Sequence, residues 1–126
     1  MLASSPIAAV VAVSDLDGAK TFYGETLGLH LSGMEELGGV LYECGEGTRL
    51  LVYQSGFAGK NEATAASWQV EDLEGELAIL EARGITFEEY DIPGIEREGV
   101  IHTTGGIRAA WFKDPEGNIL NVVTRG

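Results

Sequence analysis

Near its amino terminus the chain reads Val13-Ser14-Asp15-Leu16-Asp17-Gly18, and in its second half the same pattern returns as Val70-Glu71-Asp72-Leu73-Glu74-Gly75. Each copy follows a short apolar run and precedes apolar residues with the spacing of an amphipathic helix. Each helical pattern stops at a glycine, Gly28 or Gly84, where the left-handed backbone conformation costs little. A strand-like stretch then follows, at residues 29–34 and 85–90. The sequence therefore predicts two copies of one supersecondary unit.

The carboxyl-terminal parts of the two copies also match. A Glu-Gly dipeptide precedes a strand-like run at residues 48–54 and again at 118–124. Residues 114–117 read Asp-Pro-Glu-Gly, which is typical of a type I turn and predicts a hairpin between 109–113 and 118–124. At the start of the first helix, Ser14 and Asp17 have the spacing of a capping box.

Each copy thus reads strand, helix, strand, strand, strand; we call them module 1 (residues 6–54) and module 2 (residues 65–125). A linker of small and polar residues, 55–64, joins them. Neither module has enough core alone, so residues 1–126 are expected to form a single domain. Module 2 carries an extra segment, 91–106, rich in glycine, and a loop of that length is often a lid or a binding loop.

Composition narrows the class of protein. Hydrophobic residues make up 44% and charged residues 22% of the chain, which are ordinary globular values. The formal net charge of −12 makes nucleic acid and acidic membranes unlikely partners. The single cysteine, Cys44, excludes an internal disulfide, and the longest uncharged stretch is too short to span a bilayer. We expect a cytoplasmic protein with no nucleic-acid or membrane partner.

The tandem βαβββ repeat resembles the vicinal oxygen chelate superfamily, which includes glyoxalase I, bleomycin-resistance proteins and extradiol dioxygenases. The resemblance covers nearly the whole chain. It implies an α+β fold of two tandem βαβββ modules whose curled mixed sheets enclose a cavity. The matching motifs are 13–16, Phe22-Tyr23, 27–29, 68–73 and 111–118.

Enzymes of this family usually hold a divalent metal in the cavity, with ligands from the first and last strands of each module. The resemblance places these positions on Ala8, on Leu50 or Leu51, on Ala65 and on Asn121. Only Asn121 has an atom that can coordinate a metal, and zinc or iron sites need three or four donors. The sequence therefore predicts a site with no metal and no cofactor.

The remaining candidate residues are polar or aromatic. If the family's ligand face is the cavity face, strand alternation turns Ser67, Gln69 and Asn121 inward and Trp68 toward a helix. The candidate pocket residues are Tyr42, Tyr53, Phe57, Ser67, Gln69, His102, Arg108, Trp111 and Asn121. For the tyrosines and Phe57 the alternative is ordinary core, and Trp111 is either cavity wall or core.

Two polar candidates also carry alternatives. His102, which we place in the long loop, is either solvated or acts at the pocket edge as a hydrogen-bond donor or general base, and it is the candidate catalytic residue that the sequence names. Arg108 binds an anionic group or forms a surface ion pair.

Other chemically notable residues are expected to be structural. His30 begins a strand, and Cys44 is interpreted as a small hydrophobe. In each of the pairs Glu35-Glu36 and Glu88-Glu89 the two side chains point to opposite sides of their strand, so neither pair can act as an acid–base dyad by itself. We expect a solvated face, and the alternative is a single glutamate turned into the cavity as a base.

Three functions remain open from the sequence. The first is a metal-independent protein that binds a small molecule, an antibiotic or a metabolite, as the antibiotic-binding members of the family do. The second is an enzyme of this family, a lyase, an isomerase or epimerase, or a dioxygenase-like protein, that works in the same cavity with an unusual metal site or none. The third is a structural or regulatory module without a ligand. By resemblance, a homodimer is expected.

Overall fold

The computed structural model describes residues 2–35 and 39–125. After a short 3₁₀ turn at Leu2–Ser4, module 1 forms β1 (Ala8–Val13), α1 (Leu16–Lys20, continued by a π-helical segment at Thr21–Thr26), β2 (His30–Glu35), β3 (Gly39–Glu43), a 3₁₀ turn (Gly45–Gly47) and β4 (Arg49–Gln54). Module 2 forms β5 (Thr64–Gln69), α2 (Leu73–Ala82), β6 (Glu96–Glu98), β7 (Ile101–Thr104), β8 (Ile107–Lys113) and β9 (Ile119–Arg125).

The strands form two mixed sheets, one from each module. The first has the order β1-β4-β3-β2, and the second has the order β5-β9-β8-β7-β6. In each sheet the first strand is parallel to the last strand of its module, and the other pairs are antiparallel. The sheets lie side by side, with β1 next to β5. This arrangement confirms the predicted α+β fold of two repeated units.

One side of both sheets packs against the helices in a continuous core. Alternate residues of β1, Val11 and Val13, are fully buried there. The core continues through α1 and α2 into Phe112 and Leu120 of module 2. We call the opposite side of the sheets the open face. Strand alternation and register place on it Val10, Leu51 and Tyr53 of module 1, and Ser67, Trp111 and Asn121 of module 2.

Both helices begin in the same way, but not as a capping box. The side chain of Asp15 accepts a hydrogen bond from the Gly18 N–H at 3.1 Å, and Asp72 does the same for Gly75. The predicted capping box at Ser14 is therefore wrong, because the N-cap is the next residue. Gly28 adopts the expected positive φ, 73°.

The structure differs from the sequence prediction in the middle of module 2. Residues 85–90 form no strand of their own; Phe87 makes a single bridge to Phe112. The predicted loop at 91–106 instead contains β6 and β7, and β7 pairs with β8. Long-range contacts decide which segment pairs with β8, and these contacts cannot be predicted from local periodicity. In module 1, Glu36 of the pair Glu35-Glu36 lies outside the described residues.

Equivalent segments of the two modules meet at both ends of the β1–β5 contact. At one end, which we call the closed junction, the turn at 114–118 of module 2 meets the start of α1. At the other end, the open junction, the turn at 44–48 of module 1 faces the start of α2. The two turns are built alike. The Asp114 N–H donates to the Asn118 carbonyl at 2.9 Å, and the Cys44 N–H donates to the Thr48 carbonyl at 2.7 Å.

The closed junction is joined by buried polar groups. Tyr23 donates its hydroxyl to Asp114 Oδ2 at 2.8 Å, and Asn118 Nδ2 donates to the same oxygen at 2.8 Å. Asn118 Nδ2 also donates to the carbonyl oxygen of Ala12, at 2.7 Å. The Glu116 carboxylate accepts the backbone N–H groups of Ser14 and Asp15, each at 2.7 Å. These bonds fix module 2 against the end of β1 and the start of α1.

Candidate functional site

The central strands of module 2 bring polar and aromatic side chains together on the open face. Asn121 on β9 lies directly opposite Ser67 on β5 and Trp111 on β8. Ala109 precedes Trp111 by two residues on β8 and therefore lies on the same face, and His102 on β7 lies opposite Ala109. Directly paired residues project to the same side of a sheet, so these side chains share one surface. Ser67 is exposed, Trp111 is half-buried, and Asn121 and His102 are buried.

Three aromatic rings form a cluster on this surface. The ring centroids of His102 and Trp111 are 5.0 Å apart with the planes nearly perpendicular, and Tyr90 lies 5.8 Å from each of them. Trp111 is held in place because its Nε1–H donates to Thr64 Oγ1 at 3.0 Å. Burial, and then the negative charge of Glu88, raises the pKa of Tyr90, so its phenol stays protonated at neutral pH. The cluster presents a fixed, largely apolar wall beside Asn121.

His102 lies on β7 rather than in a loop, and it is only 2% exposed. Its Nε2 accepts a hydrogen bond from the Tyr90 N–H at 2.9 Å. Its Nδ1 lies 3.0 Å from the Val100 carbonyl, which requires the proton to be on Nδ1. With both ring nitrogens occupied, His102 has none free to act as a general base in this conformation. It attaches the segment before β6 to the sheet.

Asn121 has an unsatisfied buried atom. The residue is 7% exposed, and its Oδ1 has no hydrogen-bond partner within the part of the chain that the structure describes. A buried polar atom without a partner costs about 1–3 kcal/mol. Most buried polar groups in folded proteins are paired, so an exception of this kind calls for an explanation.

Module 1 contributes an apolar surface to the open face. Val10 is 50% exposed and Tyr53 is 38% exposed, and Leu51 lies beside Val10 on the neighbouring strand. Phe57, in the linker, is also exposed, and the Lys60 ammonium group lies 5.6 Å from its ring centroid. Tyr53 and Phe57 are thus accessible, whereas an ordinary core position would hide them.

Two predicted pocket residues lie elsewhere. Tyr42 is only 2% exposed and packs in the helix-side core, 6.3 Å from the Tyr23 ring, so it does not line the open face. Arg108 projects to the helix side and pairs with Glu74 at 2.9 Å, which is the surface ion pair that the sequence left as an alternative. Alternation along the strands decides both positions, but the sequence did not show which side of each strand would be open.

The other candidates fall into accessible and core positions. Ser67 and Gln69 are exposed on β5, and Gln69 Oε1 accepts from Arg125 at 2.8 Å. Trp68 packs partly against the core, and so does Cys44. His30 is exposed at the start of β2, opposite Glu43.

Sequence reasoning missed Tyr90 and Thr64 as parts of the site. Tyr90 reaches the open face because its backbone is bound to His102, and Thr64 acts through its hydrogen bond to Trp111. Neither contact has a local signal, since both join segments that are distant in the sequence.

The positions that hold metal in the family's enzymes do not form a metal site in this chain. Leu50 is buried on the helix side, so Leu51 is the residue that faces the open side. With Ala8 and Ala65, this leaves the Asn121 amide as the only donor at these positions. Within residues 2–35 and 39–125, no three His, Cys, Asp or Glu side chains are grouped closely enough to hold a metal ion. One neutral oxygen does not satisfy the donor number of zinc, iron or magnesium.

The fold and its open sheet surface define a class of small α+β proteins with paired βαβββ modules. The family model of the Glyoxalase/Bleomycin resistance protein/Dioxygenase superfamily matches residues 6–122, and the chain belongs to that family. This confirms the resemblance in the sequence. No curated protein matches the chain. In the described part of the chain, no helix has the length and hydropathy needed to cross a membrane.

Several solved structures share the fold at low sequence identity. A glyoxalase/bleomycin resistance protein from Catenulispora acidiphila is 24% identical, with a TM-score of 0.71 over 96% of this chain and 98% of that one. TnmS3, an antibiotic binding protein from Streptomyces sp. CB03234, is 22% identical, with a TM-score of 0.69 over 98% of each chain. A lactoylglutathione lyase from Agrobacterium tumefaciens is 19% identical, with a TM-score of 0.69 over 96% of this chain and 93% of that one. At this identity the likeness establishes the fold alone.

Proposed function

We propose that this protein binds a small organic molecule, an antibiotic or a metabolite, on the open face and that it does so without a metal. The observation that carries the proposal is the group formed by Asn121, Ser67 and Trp111 on adjacent strands. It joins an unsatisfied acceptor and an exposed hydroxyl to a fixed aromatic wall, which is the usual composition of a ligand site. The positions where enzymes of the family usually hold metal carry Ala8, Leu51 and Ala65 here, which supports binding without one.

The proposal includes a second copy of the chain. In one chain the open face is a surface rather than an enclosed pocket, and Val10 and Tyr53 leave apolar area uncovered on it. A homodimer in which two open faces meet would bury this area and enclose the ligand. The net charge of −12 favours a neutral or cationic ligand and disfavours nucleic acid and acidic membranes, and we expect the protein to work in the cytoplasm.

The dimer is tested by light scattering coupled to size-exclusion chromatography. Val10→Glu places a charge on the open face and is expected to shift the protein to monomer. Ile79→Glu is the matched control, because Ile79 is equally exposed, at 49% against 50%, but lies on α2. A wild-type protein that stays monomeric at high concentration would contradict this part of the proposal.

Ligand binding is tested by thermal shift with a broad panel of aromatic and aliphatic compounds, before and after dialysis against a chelator. We expect the same compounds to raise the Tm in both preparations, and we expect metal analysis to find far less than one equivalent of zinc, nickel, iron or manganese. Stoichiometric metal that survives dialysis would overturn metal independence. A panel in which no compound raises the Tm would favour a structural or regulatory module.

The enzyme alternative has less support. The sequence left two kinds of base open, His102 or a glutamate turned into the cavity, and His102 has both ring nitrogens in hydrogen bonds. Conversion of any compound from the thermal-shift panel, followed by NMR and abolished by a substitution on the open face, would establish the enzyme alternative instead.

A further inference from the structure

We infer that Asn121 selects an aromatic ligand that carries an N–H or O–H group, and that Asn121 Oδ1 accepts a hydrogen bond from that group. A metal ion at this position would attract the oxygen atoms of a ligand, whereas a carbonyl oxygen attracts a hydrogen-bond donor. The inference rests on the proposed function, because it names the class of ligand that the open face takes.

The first support is the state of the Asn121 side chain. More than nine-tenths of the residue is buried, and Oδ1 has no partner among the described residues. An apolar side chain at this position would leave no polar atom unsatisfied. The amide therefore reduces the stability of the free chain, and a ligand donor that pairs with Oδ1 would recover that loss.

The second support is that the fixed ring donors beside Asn121 already have other partners. The Trp111 N–H is already donated to Thr64, and His102 uses its nitrogens for the backbone at Val100 and Tyr90. No neighbouring group in the described structure supplies Oδ1 with a proton. The exposed Ser67 hydroxyl on the neighbouring strand does not bond Oδ1 either, so the position is left for a donor on a ligand.

The aromatic character follows from Trp111, which lies directly across the β8–β9 pair from Asn121. Its ring is fixed by Thr64 and by edge-to-face contacts with Tyr90 and His102. A fixed indole offers a flat surface at little cost in conformational entropy. A planar ring placed against it would bring a ring N–H or O–H within reach of Asn121.

Binding requires a small movement of the Asn121 amide, because Oδ1 is screened from solvent in the free chain. The terminal torsion of asparagine is broad, so the amide can turn toward the exposed side near Ser67 at low cost.

The test compares two probes of nearly equal shape. Indole carries an N–H donor, and benzofuran replaces that group with an oxygen acceptor. Titrations followed by ligand-observed NMR give the dissociation constant of each probe. We expect wild-type protein to bind indole about 3–10-fold more tightly than benzofuran, which is the value of one neutral hydrogen bond.

Two substitutions connect this preference to Asn121. Asn121→Asp keeps only acceptor oxygens, and at pH 8 it is expected to retain or increase the preference for indole. Asn121→Leu removes the acceptor, and we expect the two probes to bind equally while the Tm of the free protein rises by several degrees. Asn61→Ala, in the exposed linker, is the control and is expected to keep the wild-type ratio.

The outcomes separate this inference from the proposed function. Equal binding of the two probes by wild-type protein, a preference for benzofuran, or a preference for indole that persists in Asn121→Leu would each overturn the role of Asn121. In all three cases the open face still binds small molecules. If neither probe binds but other compounds in the thermal-shift panel do, the aromatic class is wrong and the proposed function stands. If no compound binds, the proposed function itself fails.

Discussion

The closed and open junctions are made from equivalent segments, and they differ in whether polar side chains cross between the modules. At the closed junction Glu116 bonds the backbone N–H groups of Ser14 and Asp15. At the open junction the equivalent glutamate, Glu46, makes no such bond to the start of α2 within the described chain, and a groove of about 670 Å³ lies there.

The side chains that differ explain the difference between the junctions. The acceptor at the closed junction, Asp114, corresponds to Cys44 at the open one, and Asn118 corresponds to Thr48. Ser14, which receives Glu116, corresponds to Glu71, so the two groups that would meet at the open junction are both negative. A repeated backbone thus gives two equivalent meeting points, and a few polar residues decide at which of them hydrogen bonds join the modules and leave the smaller cavity, about 270 Å³.

The largest expected effect comes from removing the shared acceptor at the closed junction. Asp114→Ala leaves the Tyr23 hydroxyl and the Asn118 amide without their partner, and we expect the free energy of unfolding to fall by about 3–5 kcal/mol. Urea denaturation followed by circular dichroism measures the loss. Cys44→Ala, at the equivalent position of the open junction, should cost less than about 1 kcal/mol. Equal losses would show that the two junctions do not differ in energy.

The second-largest loss of stability is expected where the backbone of the linker lies close to the turn of the closed junction. Gly59 has a φ of 66°, and a Cβ at this position would overlap the carbonyl oxygen of Glu116. Gly59→Ala is expected to lower the free energy of unfolding by about 2–3 kcal/mol, because strain and steric overlap add. Gly47→Ala in the turn of the open junction has a similar φ, 76°, with no atom near the added Cβ. It should lose only about 1 kcal/mol. An equal loss would mean that the linker does not pack tightly on the closed junction.

The third-largest loss of stability is expected from removing the Tyr23 hydroxyl. Tyr23→Phe removes the donor to Asp114 but keeps the ring, and the expected loss is about 1–2 kcal/mol. The control is Tyr42→Phe, since Tyr42 is also buried and its hydroxyl has no hydrogen bond to Asp114; it should change the free energy of unfolding by less than about 0.5 kcal/mol. Chemical denaturation at neutral pH distinguishes the two. If Tyr23→Phe leaves the free energy of unfolding unchanged, the hydroxyl does not stabilise the closed junction.

The smallest effect is a dependence on pH. Hydrogen bonds from the Ser14 hydroxyl and from the backbone of Asp15 and Ser14 lower the pKa of Glu116 in the folded chain below its usual 4.5. Because the folded pKa is the lower one, this contribution to stability is present above pH 4.5 and is lost as the pH falls through the folded value. We expect Glu116→Gln to flatten the decline in urea midpoint below pH 4.5, while Glu46→Gln leaves the decline as in wild type. Identical pH profiles for all three proteins would contradict this assignment.

Much of the fold was predictable because it is recorded in local patterns. The repeated hexapeptide, the glycines after the helices and the Asp-Pro-Glu-Gly turn each act within a few residues, and the structure contains the corresponding elements. Alternation also indicated which side chains share a strand face, and it correctly grouped Ser67 with Gln69. The β6–β7 hairpin was missed, because its pairing with β8 depends on contacts that only the folded chain makes.

The candidate site was only partly readable from the sequence. Asn121 was identified from the resemblance, but the sequence could not show that its oxygen is buried without a partner. For His102 the sequence left open a solvated ring, a hydrogen-bond donor at the pocket edge and a general base. The structure instead shows a buried ring whose two nitrogens are bonded to backbone groups. For Tyr42 and Arg108 the structure selects the alternatives that the sequence left open, the core and a surface ion pair, because the side that the helices cover fixes which side of a sheet is open.

The sequence by itself determined the repeated module, its turns and the reduction of the family's metal positions to one possible donor, Asn121, since each of these depends on residue type and short spacing. Only the tertiary structure decided which junction is closed, which aromatic rings meet and where an acceptor remains unpaired. These features arise where segments far apart in the chain come within hydrogen-bond distance, and the energies of such contacts depend on positions that no local pattern specifies.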